Sequence, residues 1–240
     1  MARRASLFSP APAVWVVEGR DLVPAEPDPI PVPPPLDPRL ARWADVLVTA
    51  GADPLVEHGR LIGEVDGLEI ARVSIREGEP VLEIGVGRFD REAHALVSAD
   101  LPTDEALAKV VALVRRARSG DGHPLGRLVP ERRLRARLVA EPGLVGADHL
   151  APMAPVVEAP DLRTPWPAPA AGEDLDGRPL VVVASSGVDL DLVPAAADAR
   201  LADGRGARLV LAVPPRDVHP VTVALAAALA DPAEVVGIAP

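Results

Sequence analysis

The chain has 240 residues, of which 48% are hydrophobic and 25% are charged, and its formal net charge is −10. Five aromatic residues, no tyrosine among them, exclude an aromatic surface that stacks unpaired bases and a methylammonium cage. The negative charge argues against blanket binding to nucleic acid or an anionic membrane, and the lack of cysteine excludes disulfides and thiolate zinc sites. No uninterrupted apolar run approaches 18 residues, so the sequence predicts a soluble, cytoplasmic protein without a membrane span.

Prolines dominate the first part of the chain. Residues 21–38 contain eight of them, including three in a row at 33–35. A proline has no N–H to donate to a strand ladder, and it also restricts the residue before it. The sequence therefore predicts that residues 1–38 form an extended, proline-rich arm.

Residues 39–140 are predicted to form an α/β lobe with a small antiparallel or mixed sheet. Asp66-Gly67 is typical of a primed hairpin turn, and apolar residues at helical spacing indicate helices on either side of the strands. The predicted elements are a helix at 39–50, hairpin strands at 61–65 and 68–75, a third strand at 81–86, and two basic helices at 103–118 and 130–140. Together they make an N-terminal αβββα block.

The last part of the chain changes character. Residues 141–178 are rich in Pro and Gly and are predicted to be a connector. In residues 179–240, apolar runs without alternation are predicted strands at 180–184, 208–213 and 234–238, joined by helices at 194–202 and 220–230. Such runs are typical of a parallel sheet. The predicted fold class is therefore α/β, with a C-terminal β-α-β-α-β parallel unit.

A glycine pair follows the predicted third strand. Residues 81–87 read Val-Leu-Glu-Ile-Gly-Val-Gly, which resembles the first motif of class I SAM-dependent methyltransferases. The resemblance implies that Gly85 and Gly87 approach the cofactor, and Asp100 follows near the distance of a ribose-binding acid. The third glycine of the motif is missing. The alternative is that the two glycines let a strand bend or pack closely.

Three acids in the same lobe suggest a metal site. A helix, then Asp66 and Glu69 on a hairpin, then Glu83 on the next strand resembles the restriction-endonuclease-like core. That resemblance implies Mg²⁺ held by the three carboxylates and phosphodiester cleavage. The lysine expected two residues after the last acid is Gly85 here. The alternative is that Asp66 is a turn residue and Glu83 a solvated or paired strand residue.

Polar residues follow two of the strands predicted in the C-terminal unit. If these strands are parallel neighbours, both sets lie at the carboxyl edge of the sheet, where open α/β sheets bind ligands. His219 beside Asp217 would suit a general base, and His219 with two further aspartates would suit a metal site. Capping of the following helices is the alternative role for His219, Asp217 and Asp191. The predicted ligand-binding set is Ser185, Ser186, Asp189, Asp191, Arg216 and Asp217.

Eight arginines lie between residues 115 and 137. Such a segment could contact phosphates, or its arginines could pair with acids and coat a helix face. Lys109 is the one lysine among 25 basic residues, which indicates a GC-rich genome and weakens any argument from arginine number. The candidate nucleic-acid contacts are Arg115, Arg116, Arg118, Arg132, Arg133 and Arg135.

Segments 86–93, 189–194 and 216–220 resemble an uncharacterised protein family of high-GC actinobacteria, over about residues 55–240. That resemblance brings no established activity. The sequence as a whole favours a non-catalytic binding or accessory module. The alternatives are a divergent metal-dependent phosphodiesterase, which would use Mg²⁺, and a SAM-dependent methyltransferase. The ligand, the partner and a homo-oligomeric state stay open at this point.

Overall fold

The structure is a computed structural model that describes residues 1–97, 102–120 and 122–239. The described chain divides into two units. One unit contains residues 1–32, 138–157 and those from 167 onward, and the other contains residues 33–137 and 158–166. We name them the five-stranded unit and the four-stranded unit after their main sheets.

Helices and strands alternate irregularly along the chain. The helices are α1 (Ala2–Ala5), α2 (Arg42–Ala50), α3 (Gly87–Val97), α4 (Thr103–Ser119), α5 (Pro130–Ala140), α6 (Leu192–Asp203) and α7 (Pro220–Ala227). The strands are β1 (Trp15–Glu18), β2 (Asp21–Pro24), β3 (Asp53–Glu57), β4 (Arg60–Val65), β5 (Leu68–Arg76), β6 (Glu79–Ile84), β7 (Ala147–Pro152), β8 (Ala168–Asp174), β9 (Pro179–Ala184), β10 (Arg208–Val213) and β11 (Glu234–Gly237).

The four-stranded unit is built on an antiparallel sheet in the order β3-β4-β5-β6. Helices α2 and α4 contact β4 and form a core with one face of the sheet, in which Leu47, Leu68 and Leu107 are fully buried. Gly63 allows α2 to approach β4 closely, because a Cβ atom there would lie 2.7 Å from Leu47 Cδ2. This apolar layer fixes the sheet and leaves its opposite face for the candidate site.

The predicted hairpin is confirmed, and two elements around it are additional to the prediction. Asp66 and Gly67 both have positive φ angles, of 48° and 74°, as a primed turn requires. Strand β3 was not predicted because it begins Asp-Pro, two residues that are rare in strands except at a sheet edge, where β3 lies. Helix α3 is the second additional element, in a segment for which the sequence predicts no helix.

The five-stranded unit contains the predicted parallel sheet. Strands β9, β10 and β11 are parallel neighbours, which confirms the predicted β-α-β-α-β arrangement. Helices α6 and α7 contact each other and form one core with β9 and β10, which includes Val181, Leu209 and Leu211. Strands β8 and β7 extend this sheet antiparallel beyond β9, so the complete sheet is mixed.

Residues 141–178, predicted to be a connector, contain β7 and β8. The prediction failed because Ala, Pro and Gly have low strand propensity and give no alternating pattern. Pairing with the buried strand β9 overrides that propensity: β8 is hydrogen-bonded to β9 on one side and to β7 on the other. Gly172 is needed there, since a Cβ atom would lie 2.0 Å from the carbonyl oxygen of His149.

The predicted proline-rich arm, residues 1–38, also contains regular structure. Helix α1 lies at its start, and β1 and β2 pair as an antiparallel hairpin whose residues are all exposed. Residues 25–37 carry no helix or strand, as the proline pattern predicts. The fold class is thus α/β, as predicted. Among the described residues, none of the helices combines the length and apolar character that a bilayer-spanning helix needs.

Candidate functional site

The second face of the four-stranded sheet is charged. Strand register places Glu57, Glu64 and Arg72 on this face, opposite the apolar core. Glu57, Glu64 and Glu69 are nonetheless almost fully buried. Buried carboxylates are stable only when paired with cations or hydrogen-bond donors, so their partners define the local chemistry.

A β-bulge brings Glu69 onto the charged face. Ala71 pairs with Gly63 and Glu69 pairs with Glu64, so Ile70 is the extra residue on β5. Without the bulge, strict alternation would put Glu69 on the same side as Ala71, in the apolar core. The bulge reverses the alternation, and Glu69 lies on the same side as Arg72.

Glu69 accepts hydrogen bonds from two arginines. Arg72 binds it through Nε and Nη2 at 2.9 and 3.0 Å, and Arg91 of α3 donates from Nη1 at 3.0 Å. The Glu69 side chain is 6% exposed, against 24% for Arg72 and 12% for Arg91. The two guanidinium groups thus share one carboxylate as their hydrogen-bond partner, and Glu83 and Glu158 add negative charge near Arg72.

A second ion-pair group joins α5 to the same face. Arg132 donates to Glu57 at 2.9 Å and to Glu64 at 2.6 Å, and Arg135 also pairs with Glu64. Burial raises the pKa of Glu64, but the charges of Arg135 and Arg132 outweigh burial and hold the pKa below its usual value. Glu64 is therefore ionised, and this group balances two carboxylates with two guanidinium groups.

These side chains surround a cavity of about 650 Å³, which we call the Glu69 cavity. Its walls come from β5, β6, the start of α3, α5 and residues 158–166. Leu162 and Trp166 contribute apolar surface. The charged lining is made of five arginines and seven acidic residues. Its main members are Glu57, Glu69, Arg72, Glu83, Arg91 and Arg132.

Of the three acids proposed to hold a metal, two line the Glu69 cavity and one does not. Glu69 and Glu83 lie on adjacent strands and both line the Glu69 cavity, whereas Asp66 lies in the β4–β5 turn and is not part of the lining. Glu69 is bound by Arg72 and Arg91, and Glu83 by Arg76 at 2.8 Å. Among the described residues, no group of three acidic or histidine side chains is arranged to hold a metal ion.

Gly85 and Gly87 lie where β6 leads into α3, and both have positive φ angles, of 134° and 75°. A Cβ atom on Gly85 would lie 2.9 Å from the backbone nitrogen of Arg91, so this glycine permits close packing against α3. The glycine motif of cofactor-binding folds follows a parallel strand. Here β6 is an antiparallel edge strand, which is a different setting. Asp100, the proposed ribose-binding acid, lies outside the described residues.

The two predicted strand-end loops do meet at one edge of the five-stranded sheet. The carboxylate of Asp217 accepts a hydrogen bond from the backbone N–H of Gly187 at 2.8 Å. Ser185 is buried, Ser186 is half-buried, and Asp189 accepts from the backbone N–H of its neighbour Asp191. However, β9, β10 and β11 follow one another without the reversal of strand order at which such sheets bind ligands.

Helix capping accounts for part of the same set. His219 Nδ1 accepts the backbone N–H of Val221, so this side chain caps α7. Asp191 is the N-cap residue of α6, but its side chain makes no hydrogen bond to the helix and is 83% exposed. The Arg216 side chain is likewise 83% exposed. These contacts are typical of loop and helix ends and bring no histidine–aspartate pair together.

The arginines proposed to contact nucleic acid are divided between interior and surface. Arg118, Arg132 and Arg135 are internal: Arg118 donates to the carbonyls of Gly126 and Leu128, and burial lowers its pKa to about 10. These three side chains bind protein groups and cannot form part of a basic surface. The arginines that stay exposed are Arg115, Arg116 and Arg133.

The candidate site residues that the sequence singled out and that line the Glu69 cavity are Glu69, Glu83, Gly87 and Arg132. The arginines that bind Glu69 and Glu83 are not among them. The available signal was the presence of charged residues inside otherwise apolar strands, as at Arg72. Residues 158–166, which complete the lining, were assigned to the connector. No protein-family model, no curated protein and no solved structure matches this chain.

Proposed function

We propose that this protein is a non-catalytic binding module and that the Glu69 cavity is where it binds a small polar ligand. The observation that carries this proposal is that carboxylates lining the cavity are bound by arginines. Glu69 and Glu83, the acids best placed for catalysis, each pair with arginine, while about 650 Å³ beside them stays open. A carboxylate neutralised by guanidinium is a poor metal ligand, whereas fixed charges of both signs around a cavity favour recognition of a polar molecule.

The cavity also has the size of a ligand site, and its lining is more charged than that of most such pockets, which suits a polar ligand. Pockets for small molecules fall between about 300 and 1,000 Å³ and combine apolar walls with a few positioned polar groups. Leu162 and Trp166 supply apolar surface, and the ion pairs of Glu69 hold Arg72 and Arg91 in fixed positions. Fixed side chains reduce the entropy lost when a ligand binds.

A ligand screen tests the proposal. The melting temperature of the chain would be measured with amino acids, dicarboxylic acids, nucleotides, sugar phosphates, Mg²⁺, Mn²⁺ and SAM. We expect a saturable rise with at least one class of small polar molecule, because a ligand that binds only the folded state stabilises it. We expect no rise with the metals or SAM.

Two matched variants locate the binding. Ala159 lines the Glu69 cavity, so Ala159→Trp should obstruct it and reduce or abolish the rise in melting temperature. Ala93→Trp adds the same side chain at an exposed position of α3, outside the lining, and should leave the rise unchanged. A screen with no responding molecule, or an equal response in Ala159→Trp, would contradict the proposal.

A metal-dependent phosphodiesterase is the second candidate, because Glu69 and Glu83 lie on adjacent strands and line one cavity. It requires the two carboxylates to leave their arginines and bind Mg²⁺. Cleavage of a generic phosphodiester, dependent on Mg²⁺ and lost in both Glu69→Gln and Glu83→Gln, would establish this activity and reject the binding module.

A further inference from the structure

Within the Glu69 cavity, the corner formed by Glu69, Arg72 and Arg91 differs from the rest of the wall in the ratio of arginines to carboxylates in its ion pairs. Two guanidinium groups share one carboxylate there. Elsewhere in the lining, Arg76 pairs with Glu83 and Arg88 pairs with Glu92, one to one. Arg72 and Arg91 therefore share a single directly bound carboxylate, although Glu83 and Glu158 also act on Arg72 and acidic residues outnumber arginines in the lining as a whole.

The guanidinium groups of Arg72 and Arg91 also have donors to spare. A guanidinium group has five N–H donors, and the two side chains together give three hydrogen bonds to Glu69. Arg118 and Arg135 have buried nitrogens without a hydrogen-bond partner, but neither Arg72 nor Arg91 has one. The remaining N–H groups of Arg72 and Arg91 thus reach solvent, and both residues line the cavity.

We propose that this corner is an oxyanion subsite, which binds the phosphate or carboxylate group of a ligand through Arg72 and Arg91. The inference rests on the proposed function and specifies its ligand class. Planar guanidinium groups bind both oxyanions through paired hydrogen bonds, and a partly buried site strengthens such bonds. Glu69 is the positioning residue, since its carboxylate holds the two arginines side by side.

The surrounding wall restricts the rest of the ligand. The acidic residues outside the corner repel further negative charge, so a ligand with a single anionic group and a neutral or cationic remainder fits best. Highly charged polyanions such as nucleic acid do not fit this description.

Titration with small oxyanions tests the subsite. Inorganic phosphate and acetate would be added separately to the whole chain, and arginine side-chain N–H resonances would be followed by NMR. We expect at least one anion to bind saturably and to shift the Arg91 Nε resonance, and the comparison of the two anions identifies phosphate or carboxylate as the preferred group. In Arg91→Gln the affinity for that anion should fall at least tenfold.

Arg116→Gln is the control, because it removes the same charge from an exposed arginine of the same unit outside the cavity. It should bind the anion like the wild type. The subsite is refuted if neither anion binds saturably, or if Arg91→Gln and Arg116→Gln bind equally. If the anions fail while other molecules still stabilise the chain and lose their effect in Ala159→Trp, the subsite is rejected and the binding module stands.

Discussion

Glu64 is one of several charged residues that are almost fully buried in the four-stranded unit. Its side chain is 4% exposed and that of its partner Arg135 is 1% exposed. Two Arg135 nitrogens, Nε and Nη1, are buried without a hydrogen-bond partner in the described chain. The stability of this group therefore depends on Glu64, which pairs with both Arg135 and Arg132, whereas Glu57 pairs only with Arg132 among the described residues.

Replacing Glu64 by Gln should be strongly destabilising. The substitution keeps the shape but leaves the buried Arg135 guanidinium without its counter-charge, a change that costs about 3–5 kcal/mol, whereas Arg132 keeps its pair with Glu57. Urea unfolding followed by circular dichroism measures this loss. Glu92→Gln is the control: Glu92 is 55% exposed and pairs with Arg88 on the surface, so its loss should cost less than about 1 kcal/mol. Equal costs for the two variants would show that the Glu64 group adds no stability.

At the scale of elements, the β4–β5 and β5–β6 hairpins of the four-stranded sheet turn in the same way but have different surroundings. Asp66-Gly67 and Glu77-Gly78 both have positive φ at each residue. A Cβ atom on Gly67 would lie 2.2 Å from the carbonyl oxygen of Arg132, so the first turn packs against the backbone of α5. A Cβ atom on Gly78 would meet nothing within 4 Å.

Alanine substitution at the two glycines separates packing from backbone strain. Gly78→Ala should lower the free energy of unfolding by about 1–2 kcal/mol, the cost of a left-handed conformation with a side chain. Gly67→Ala should cost about 1–3 kcal/mol more, because the backbone of α5 must move. Chemical denaturation of both variants gives the comparison. Equal losses would mean that α5 does not pack tightly on this turn.

The sequence predicts a helix, strand or turn correctly where the residues of that element favour it on their own. Strands β9 and β10 are continuous apolar runs, and the β4–β5 turn carries Asp-Gly, so both were found. Strands β7 and β8 were missed because β9 supplies the hydrogen bonds that their small residues do not predict. Their formation is a property of the assembled sheet.

The candidate site was partly predictable, because some of its residues form a local sequence pattern and others come together only in the fold. Glu69 and Glu83 were found because acids on adjacent strands form a recognisable pattern. Their arginine partners were not found, because the bulge at Ile70 sets which face Glu69 occupies, and Arg91 approaches from α3. The bulge thus brings Glu69 onto the same face as Glu83, where arginines of β5 and α3 pair with the two acids.

For the whole molecule, each unit contains a buried acid whose pKa is held below its usual value by arginines. In the four-stranded unit this acid is Glu64, and in the five-stranded unit it is Asp198, whose side chain is fully buried and bound by Arg3 and Arg4. Burial raises the pKa of Asp198, but hydrogen bonds from Arg3 and Arg4 outweigh it and keep the pKa below its usual value. Acid should therefore weaken both units.

The pH dependence of stability follows from the direction of these pKa shifts. A carboxyl group with a lowered pKa in the folded state adds stability that is fully present above its unfolded pKa, about 4, and is lost as pH falls through the folded pKa. We expect the free energy of unfolding to be nearly constant from pH 7 to about 5 and to fall progressively below about pH 4.

Asp198→Asn tests this at one site. It should be less stable than the wild type at pH 7, because Arg3 and Arg4 lose their buried partner, and its stability should fall less steeply in acid. Urea unfolding at a series of pH values gives both quantities. Asp176→Asn, at a side chain 69% exposed, should keep the wild-type slope. If Asp198→Asn keeps that slope as well, the Asp198 carboxyl does not contribute to acid unfolding, and the α1 arginines stabilise the fold by packing alone.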